Sequence, residues 1–598
     1  MSTSKNKPKA INIDAVIDAM RTLSKTNKRL PVTAKKNKKA NPPNVRRDDD
    51  GTLIRDVIPG IEEHTTEGFG GSRIVRLVVV HSPITNIVYK ATGDSSIAHS
   101  PRIENFKHIA TAVKSYYDSK HKPGQDKIID GFVNWIMAFW EAYRPEYEQR
   151  LADGLVLFAD LFIYLPWGSE VIFKTDRGTV GGKITGKSIH TTMFAKFLNV
   201  EVKSISQGTG HLTYGSQSGK IGYADILKLS ELPVRAITPQ EKETLAARGK
   251  RFLEYATKPS YVQCNGTLMR KTWWGGIQEV KANGRVMIDA ATAHKMDPKY
   301  FTNYDEEGSE EISDFMVKPE EFWICEPSVK GFSFQAKLWG EFRVADLDQI
   351  VFNDQAFSQM VMDEDRKKMI LALVKNTGVG FSDIIQGKGG GSVFLLHGPP
   401  GVGKTLLAET TAEVLHRPLY SISVGELGVT PVEVEETLSK VLEMATIWGA
   451  VILLDEADIF MEARDSENIL RNSVVGVFLR AIEYFSGVLF LTTNRIKNFD
   501  RAFHSRISIA LVYKELDETT RAKIWSNLLQ ASKIEGITPE MVARLAKIQI
   551  NGRQIKNSLR MCQALAHDMG RPVTEADING VLDLTTKFED QLKLAEGA

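Results

Sequence analysis

A chain of 598 residues, 42% hydrophobic and 25% charged, has the composition of a folded soluble protein several domains long, and it contains no run of about 18 apolar residues that would span a bilayer. Its formal net charge of +2 is unevenly spread: residues 1–47 carry thirteen Lys and Arg against Asp14 and Asp18, a net of +11, which leaves −9 on the remainder. A mildly acidic body argues against a large nucleic-acid groove, because neutralising phosphates takes clustered Lys and Arg.

The basic segment 1–52 has too few large apolar side chains to offset the entropy of ordering, so most of it is expected to be disordered. Within it Ile13, Val16, Met20 and Leu23 recur at helical spacing, which makes Ile11 to Lys25 a transient helix, a partner-docking helix or a mitochondrial-targeting helix. Residues 53–343 change character and predict a mixed α+β, β-rich domain. An aromatic helical stretch around Phe132 to Tyr143 comes first, then the apolar segment Val156 to Leu165, read as core although it carries Asp160. Strand signals follow at Glu170 to Lys174, Glu201 to Ser206 and Leu212 to Tyr223, the last broken at Gly215 and Gly219, and they suggest a small barrel or sandwich. The pair Trp273 and Trp274 either fills core or interface or stacks on a base or a peptide aromatic. Cys264, Cys325 and Cys562 lie far apart, with no metal-ligand or CxxC spacing and no secretory leader before them; reduced thiols in an intracellular compartment are expected, in cytosol or nucleus, with the mitochondrion an alternative.

From Val344 strands and helices alternate. Ser392 to Leu396, Leu419 to Ser423, Val451 to Leu454, Val488 to Thr492 and Ile507 to Tyr513 are near-continuous apolar runs, the pattern of a parallel sheet covered on both faces. The expectation is an α/β core over 344–513. Only helical signals follow, with starts at Thr538-Pro539 and at Thr574, so 514–598 reads as a helical lid.

The chemistry lies in the α/β part. Gly398, Pro399, Pro400, Gly401, Val402, Gly403, Lys404 and Thr405 fit GxxxxGK[ST], after the apolar strand SVFLL and before a helical run that begins at Leu406. Backbone N–H groups of such a loop surround phosphate oxygens, the lysine reaches the β- and γ-phosphates, and the threonine hydroxyl binds Mg2+. Some fifty residues on, VILLDEAD ends a strand in two acids: Asp455 to hold Mg2+, Glu456 to orient and deprotonate the water that attacks the γ-phosphate. Asn494 ends the strand VLFLTTN, where its amide can donate to that water or to the γ-phosphate. Arg506, in FDRAFHSRISIAL, is placed to reach a neighbouring subunit's site as an arginine finger or else to form a salt bridge within its own chain, with Arg501 as the competing finger. In the lid, NGRQIKN puts Gly552 and Arg553 at a helix start, from which Arg553 can reach back over the nucleotide; a surface arginine is the alternative.

GPPGVGKT, LLDEAD, FLTTN, the SRI box and NGR together resemble an AAA+ ATPase module over Phe381 to the C-terminus. The resemblance implies a P-loop NTPase core with a five-stranded parallel sheet and helical lid, ATP and Mg2+ as ligands, and assembly into a homo-oligomeric ring. NGRVMID at Asn283 to Asp289 and GFSFQAKLWGEFRV at Gly331 to Val344 further resemble the end of a domain of unknown function found before the ATPase in a mainly fungal group. Many ring-forming relatives carry an aromatic-hydrophobic-glycine loop after the second strand to grip a threaded polypeptide. Here that stretch reads GELGVTPVEVEE, without an aromatic, which favours whole-domain remodelling or switching over threading. A protein client is the expected partner. A slow nucleotide-gated scaffold and an ATPase stimulated by nucleic acid are the alternatives, the second motivated by the basic tail and the β-rich region.

Overall fold

The computed structural model describes residues 45–47, 52–67, 73–92, 103–121, 124–191, 195–272, 276–301, 310–312, 317–377, 390–461, 469–494, 501–532, 534 and 538–596. The helix expected over Ile11 to Lys25, the pair Trp273 and Trp274, and the side chain of Arg501 lie outside them. The chain forms two compact units: 1–257 with 304–329 and 343–345, and 258–303 with 330–342 and 346–598.

In the first unit a four-stranded antiparallel meander, from Val45–Arg47 to Arg73–Val79, precedes the helices Ser82–Thr92, Ile103–Lys120 and Lys127–Ala152. The longest helix, Lys127–Ala152, starts because the Asp126 carboxylate accepts the amides of Ile128 and Ile129 at 2.8 and 3.2 Å. Its buried face, Ile129, Phe132, Val133, Ile136, Trp140, Tyr143 and Tyr147, keeps helical spacing and carries the aromatic stretch read in the sequence. A six-stranded antiparallel sheet follows, in which Gly178–Thr191, Lys196–Gln207 and Leu212–Gly222 are long neighbours. Leu212–Gly222 also lies against Glu170–Thr175 and Val234–Ala236, so the sheet curls on itself in the manner of a small barrel. Its outer member is Glu310–Ile312, which pairs with 212–214 from nearly a hundred residues away.

The segment Val156 to Leu165 is core, as its apolarity predicts, and its one acid is fully satisfied. Asp160 is wholly buried, accepts Tyr143 Oη at 2.8 Å, and lies 2.6 Å from His108 Nδ1 and 3.2 Å from Arg150 Nη2. Lys187, also buried, has no carboxylate partner among the described residues; its ammonium donates to the carbonyls of Leu165 at 2.8 Å and Phe162 at 3.4 Å.

The second unit contains two sheets. The parallel one is built from β1 (Ser392–His397), β2 (Leu419–Ser423), β3 (Val451–Asp455), β4 (Val488–Thr493) and β5 (Ile509–Val512), in the order β2-β3-β4-β1-β5. Successive side chains alternate between faces. Val393, Leu395, Ile452, Leu454, Leu489 and Leu491 pack with the helices α2 (Pro431–Trp448) and α3 (Ile469–Tyr484). Phe394, Leu396, Val451, Leu453 and Phe490 pack with α1 (Lys404–Val414) and with Glu364–Lys375. Covering both faces is why these strands read as unbroken apolar runs. β5 begins two residues later than the sequence suggests, because the Phe503 carbonyl takes the amides of Arg506 and Ile507 into a turn. The lid consists of α4 (Glu518–Ala531), α5 (Pro539–Ala546), α6 (Gly552–Asp568) and α7 (Glu575–Glu596) around Trp525, Leu545, Ile555, Leu559 and Ile578.

The other sheet is antiparallel and seven-stranded, built from segments between Ser260 and Asp348. Residues 258–303 and 330–342, assigned to the N-terminal region from sequence, group with the parallel sheet instead. The join is chemical as well as spatial. Trp448, at the end of α2, donates through Nε1 to Asp289 Oδ2 at 2.8 Å and packs 5.7–5.8 Å from the rings of Phe332, Phe334 and Trp339. Tyr420 of β2 stacks on Phe332 at 5.5 Å, and Arg285 pairs with Glu413 of α1 at 2.5 Å.

Candidate active site

β1, β3 and β4 deliver three chain segments to the same edge of the parallel sheet, where α1 begins. Between β1 and α1 the loop Gly398 to Gly403 turns through positive φ at Gly401 (+78°) and Gly403 (+100°), a region side chains rarely adopt. A Cβ at Gly401 would sit 2.5 Å from Asn551 Oδ1, and nothing among the described residues lies within 4 Å of one at Gly403. The first position admits the lid; the second leaves open space, among the described residues, in front of the N-terminus of α1, whose N-cap Gly403 supplies no capping side chain.

Lys404 is 8% exposed, and its ammonium donates to Gly398 O at 2.7 Å, Pro399 O at 2.8 Å and Asn494 Oδ1 at 2.8 Å. Burial holds its pKa below the ordinary lysine range and the Arg553 charge adds to this, while Asp455 and Asp458 oppose it. A buried ammonium bonded to neutral oxygens is one that an incoming anion stabilises. Thr405 Oγ1 lies 3.4 and 3.5 Å from the Asp455 oxygens, a loose contact, with hydroxyl and carboxylate facing each other as hard oxygen donors for a divalent cation. This donor set fits a nucleotide triphosphate with Mg2+.

Glu456 is exposed and has φ +55°, a conformation that costs a non-glycine residue about 1 kcal/mol or more and persists only where its surroundings impose it. The surroundings here are β4. Parallel pairing sets Leu454 opposite Leu491, so the residues that follow, Asp455 at the end of β3 and Thr492 one short of the end of β4, come side by side. Thr493 Oγ1 donates to Asp458 and the Thr493 carbonyl accepts the Gly398 amide at 3.3 Å.

The structure thus brings Lys404, Thr405, Asp455, Glu456 and Asn494 together. Leu406 points outward from α1, 46% exposed. The lid joins the loop through the Gly552 amide, which donates to Gly401 O at 3.0 Å, and Asn551 caps α6 in a reciprocal box with Gln554. Arg553, next in the chain, is exposed. Arg506 takes different partners: Glu483 of α3 at 2.6 Å, the Ala502 carbonyl at 2.8 Å and Ser505 Oγ at 3.4 Å. Sequence reasoning stopped at Asn494 and passed over Thr492, Thr493 and Asp458. The signal for them is two hydroxyls at the buried end of an otherwise apolar strand.

Residues 394–514 match the family described as ATPase family associated with various cellular activities (AAA). Over 150 residues the chain is 30% identical to an ATPase family AAA domain-containing protein 3A homolog of Drosophila melanogaster, covering 24% of each chain. It is 32% identical over 139 residues to ATPase family AAA domain-containing protein 3B of Homo sapiens, 22% of this chain and 21% of that one. With Spastin of Drosophila erecta it shares 30% identity over 164 residues, 26% and 22% of the two. The chain therefore spans about a quarter or less of the length of these relatives. Among the described residues no helix is long and apolar enough to cross a membrane.

Proposed function

We propose that this chain hydrolyses ATP with Mg2+ and, as a homo-oligomeric ring, uses the energy to remodel a protein client. The observation that carries the first half is the convergence of Lys404 Nζ on Asn494 Oδ1 with that of Thr405 on Asp455 at one sheet edge. In this reading the loop amides and Lys404 hold the phosphates, and Thr405 and Asp455 would ligate Mg2+, which supplies neutralisation of phosphate charge. Glu456 takes the proton of the attacking water and Asn494 orients that water. Arg553 senses the γ-phosphate from the lid. Arg506 completes a neighbour's site in trans.

Support for remodelling rather than threading comes from the loop after β2. Capping boxes at Ser423/Glu426 and Thr430/Glu433 brace it, and its tip residue, Val429, is 86% exposed. A small aliphatic tip offers little grip on an unfolded chain. The first unit is the candidate for choosing the client. NGRVMID and GFSFQAKLWGEFRV support placement in the mainly fungal group, and the three buried, unpaired cysteines support a reducing compartment.

The test compares the purified full chain with Glu456→Gln. Loss of a general base predicts a fall in turnover of about 10²- to 10⁴-fold with ATP binding retained. Equal turnover in the two proteins overturns the enzymatic reading. Proteins that co-purify with the Glu456→Gln trap identify the client.

A further inference from the structure

We infer that Thr492 is a positioning residue for ATP hydrolysis, holding the acidic pair Asp455 and Glu456 in its working geometry; this rests on the hydrolytic reading above. Thr492 lies at the end of β4, 1% exposed, and touches three consecutive residues. Its hydroxyl donates to Asp455 Oδ1. The same oxygen accepts the Glu456 amide at 3.0 Å. Its carbonyl accepts the Ala457 amide at 2.9 Å.

Each bond has a distinct consequence. The hydroxyl proton occupies one carboxylate oxygen of Asp455 and so fixes the rotation of the group that also faces Thr405. The bond to the Glu456 amide, with its neighbour at Ala457, pins the backbone on both sides of the φ +55° residue. The direction in which the Glu456 side chain leaves the backbone is set by that peptide, so the catalytic base is aimed by a residue on another strand. Threonine suits the role because its β-branched side chain is stiff in a strand and one hydroxyl can donate and accept at once. Valine keeps the shape and removes both bonds.

The experiment compares wild type, Thr492→Val and Thr492→Ser in the full chain, with Glu456→Gln as reference. In nucleotide-free protein, hydrogen exchange is followed at the Glu456 amide; with ATP and Mg2+, kcat and KM are measured. Thr492→Val is expected to speed exchange at Glu456 and to lower kcat by about ten- to a hundredfold, the scale of a catalytic group misplaced by about 1 Å, with KM within about threefold of wild type. Thr492→Ser is expected to restore both. Should Val unfold the chain, Thr492→Ala takes its place. Unchanged exchange, unchanged kcat despite faster exchange, or equal loss in the Val and Ser variants would each overturn the inference. Wild-type turnover no greater than that of Glu456→Gln overturns the hydrolytic reading itself and the inference with it, a result distinct from active wild type with an equally active Thr492→Val.

Discussion

Arg506 Nη2 lies 2.6 Å from Glu483 Oε2, so the arginine proposed as a trans finger is ion-paired inside its own chain. The pair is partly buried, with side-chain exposures of 24% and 29%, and Arg506 Nε is buried without a hydrogen-bond partner among the described residues. Such an arginine is oriented by groups of its own chain. As a trans finger it stabilises transition-state charge, and Arg506→Ala is expected to lower turnover by roughly 10³- to 10⁵-fold. Mixing Arg506→Ala with Lys404→Ala subunits should recover activity, since one supplies the site and the other the arginine. No recovery in a confirmed oligomer means that the site is completed within one chain and that the pair with Glu483 is structural.

Arg553 follows Gly552, whose amide is bonded to the loop, and its charge is felt at Lys404. Arg553→Gln should weaken ATP by about tenfold or more, the scale of a charge-assisted hydrogen bond, and ADP much less. Equal losses for the two nucleotides, measured by equilibrium binding, would assign Arg553 to general charge rather than to the γ-phosphate.

Trp448 joins the two sheets of the second unit. Its replacement by Ala removes a buried indole and leaves the Asp289 carboxylate one donor short, at an expected cost of about 3–5 kcal/mol. The denaturation midpoint should fall, and limited proteolysis should reach the 258–303 segment sooner. A shift below about 1 kcal/mol would mean that the ion pairs, not the aromatic cluster, hold the sheets together.

Lys187 gives a pH dependence. Burial pushes its folded-state pKa down to about 7, so between pH 7 and the ordinary lysine range the unfolded chain binds more protons than the folded one. Stability from this group therefore rises with pH through that window, with a slope of at most about 1.4 kcal/mol per pH unit, and its cost is greatest below pH 7. Urea midpoints compared between wild type and Lys187→Met should differ most at pH 6–7 and converge towards pH 10. Parallel curves would show that the amine stays charged in the folded protein.

The parallel sheet and the nucleotide loop were legible because their signals are local. Five apolar runs, a glycine loop between strand and helix, and acids at a strand end each occupy a few consecutive residues. The features that were missed depend on pairing between distant segments. Val286, Met287 and Ile288 find Ser333, Phe332 and Gly331 more than forty residues away, and no periodicity announces that this sheet will pack on Trp448. Asp160 draws its partners from 10 to 52 residues away, so a charge within an apolar run cannot be read as satisfied from the run alone. Thr492 belongs to a strand that reads as core, and its task is visible only once the register sets it beside Asp455. Arg506 was identified as a candidate, but its pairing with Glu483 depends on where α3 lies.

The first unit's sheet ends on Glu310–Ile312, and the Glu326 amide donates to the Ile205 carbonyl at 2.9 Å, so that unit closes with chain synthesised after the second unit has begun. A ribosome releasing the polypeptide from its N-terminus cannot finish the first unit when residue 257 emerges. Residues 212–214 wait with an unpaired edge while the next fifty or so residues, of the other unit, pass through the exit tunnel, an interval in which exposed backbone can recruit the wrong strand. Truncated products that stop before residue 310 should accordingly be the forms of this protein that most burden a cell's chaperones.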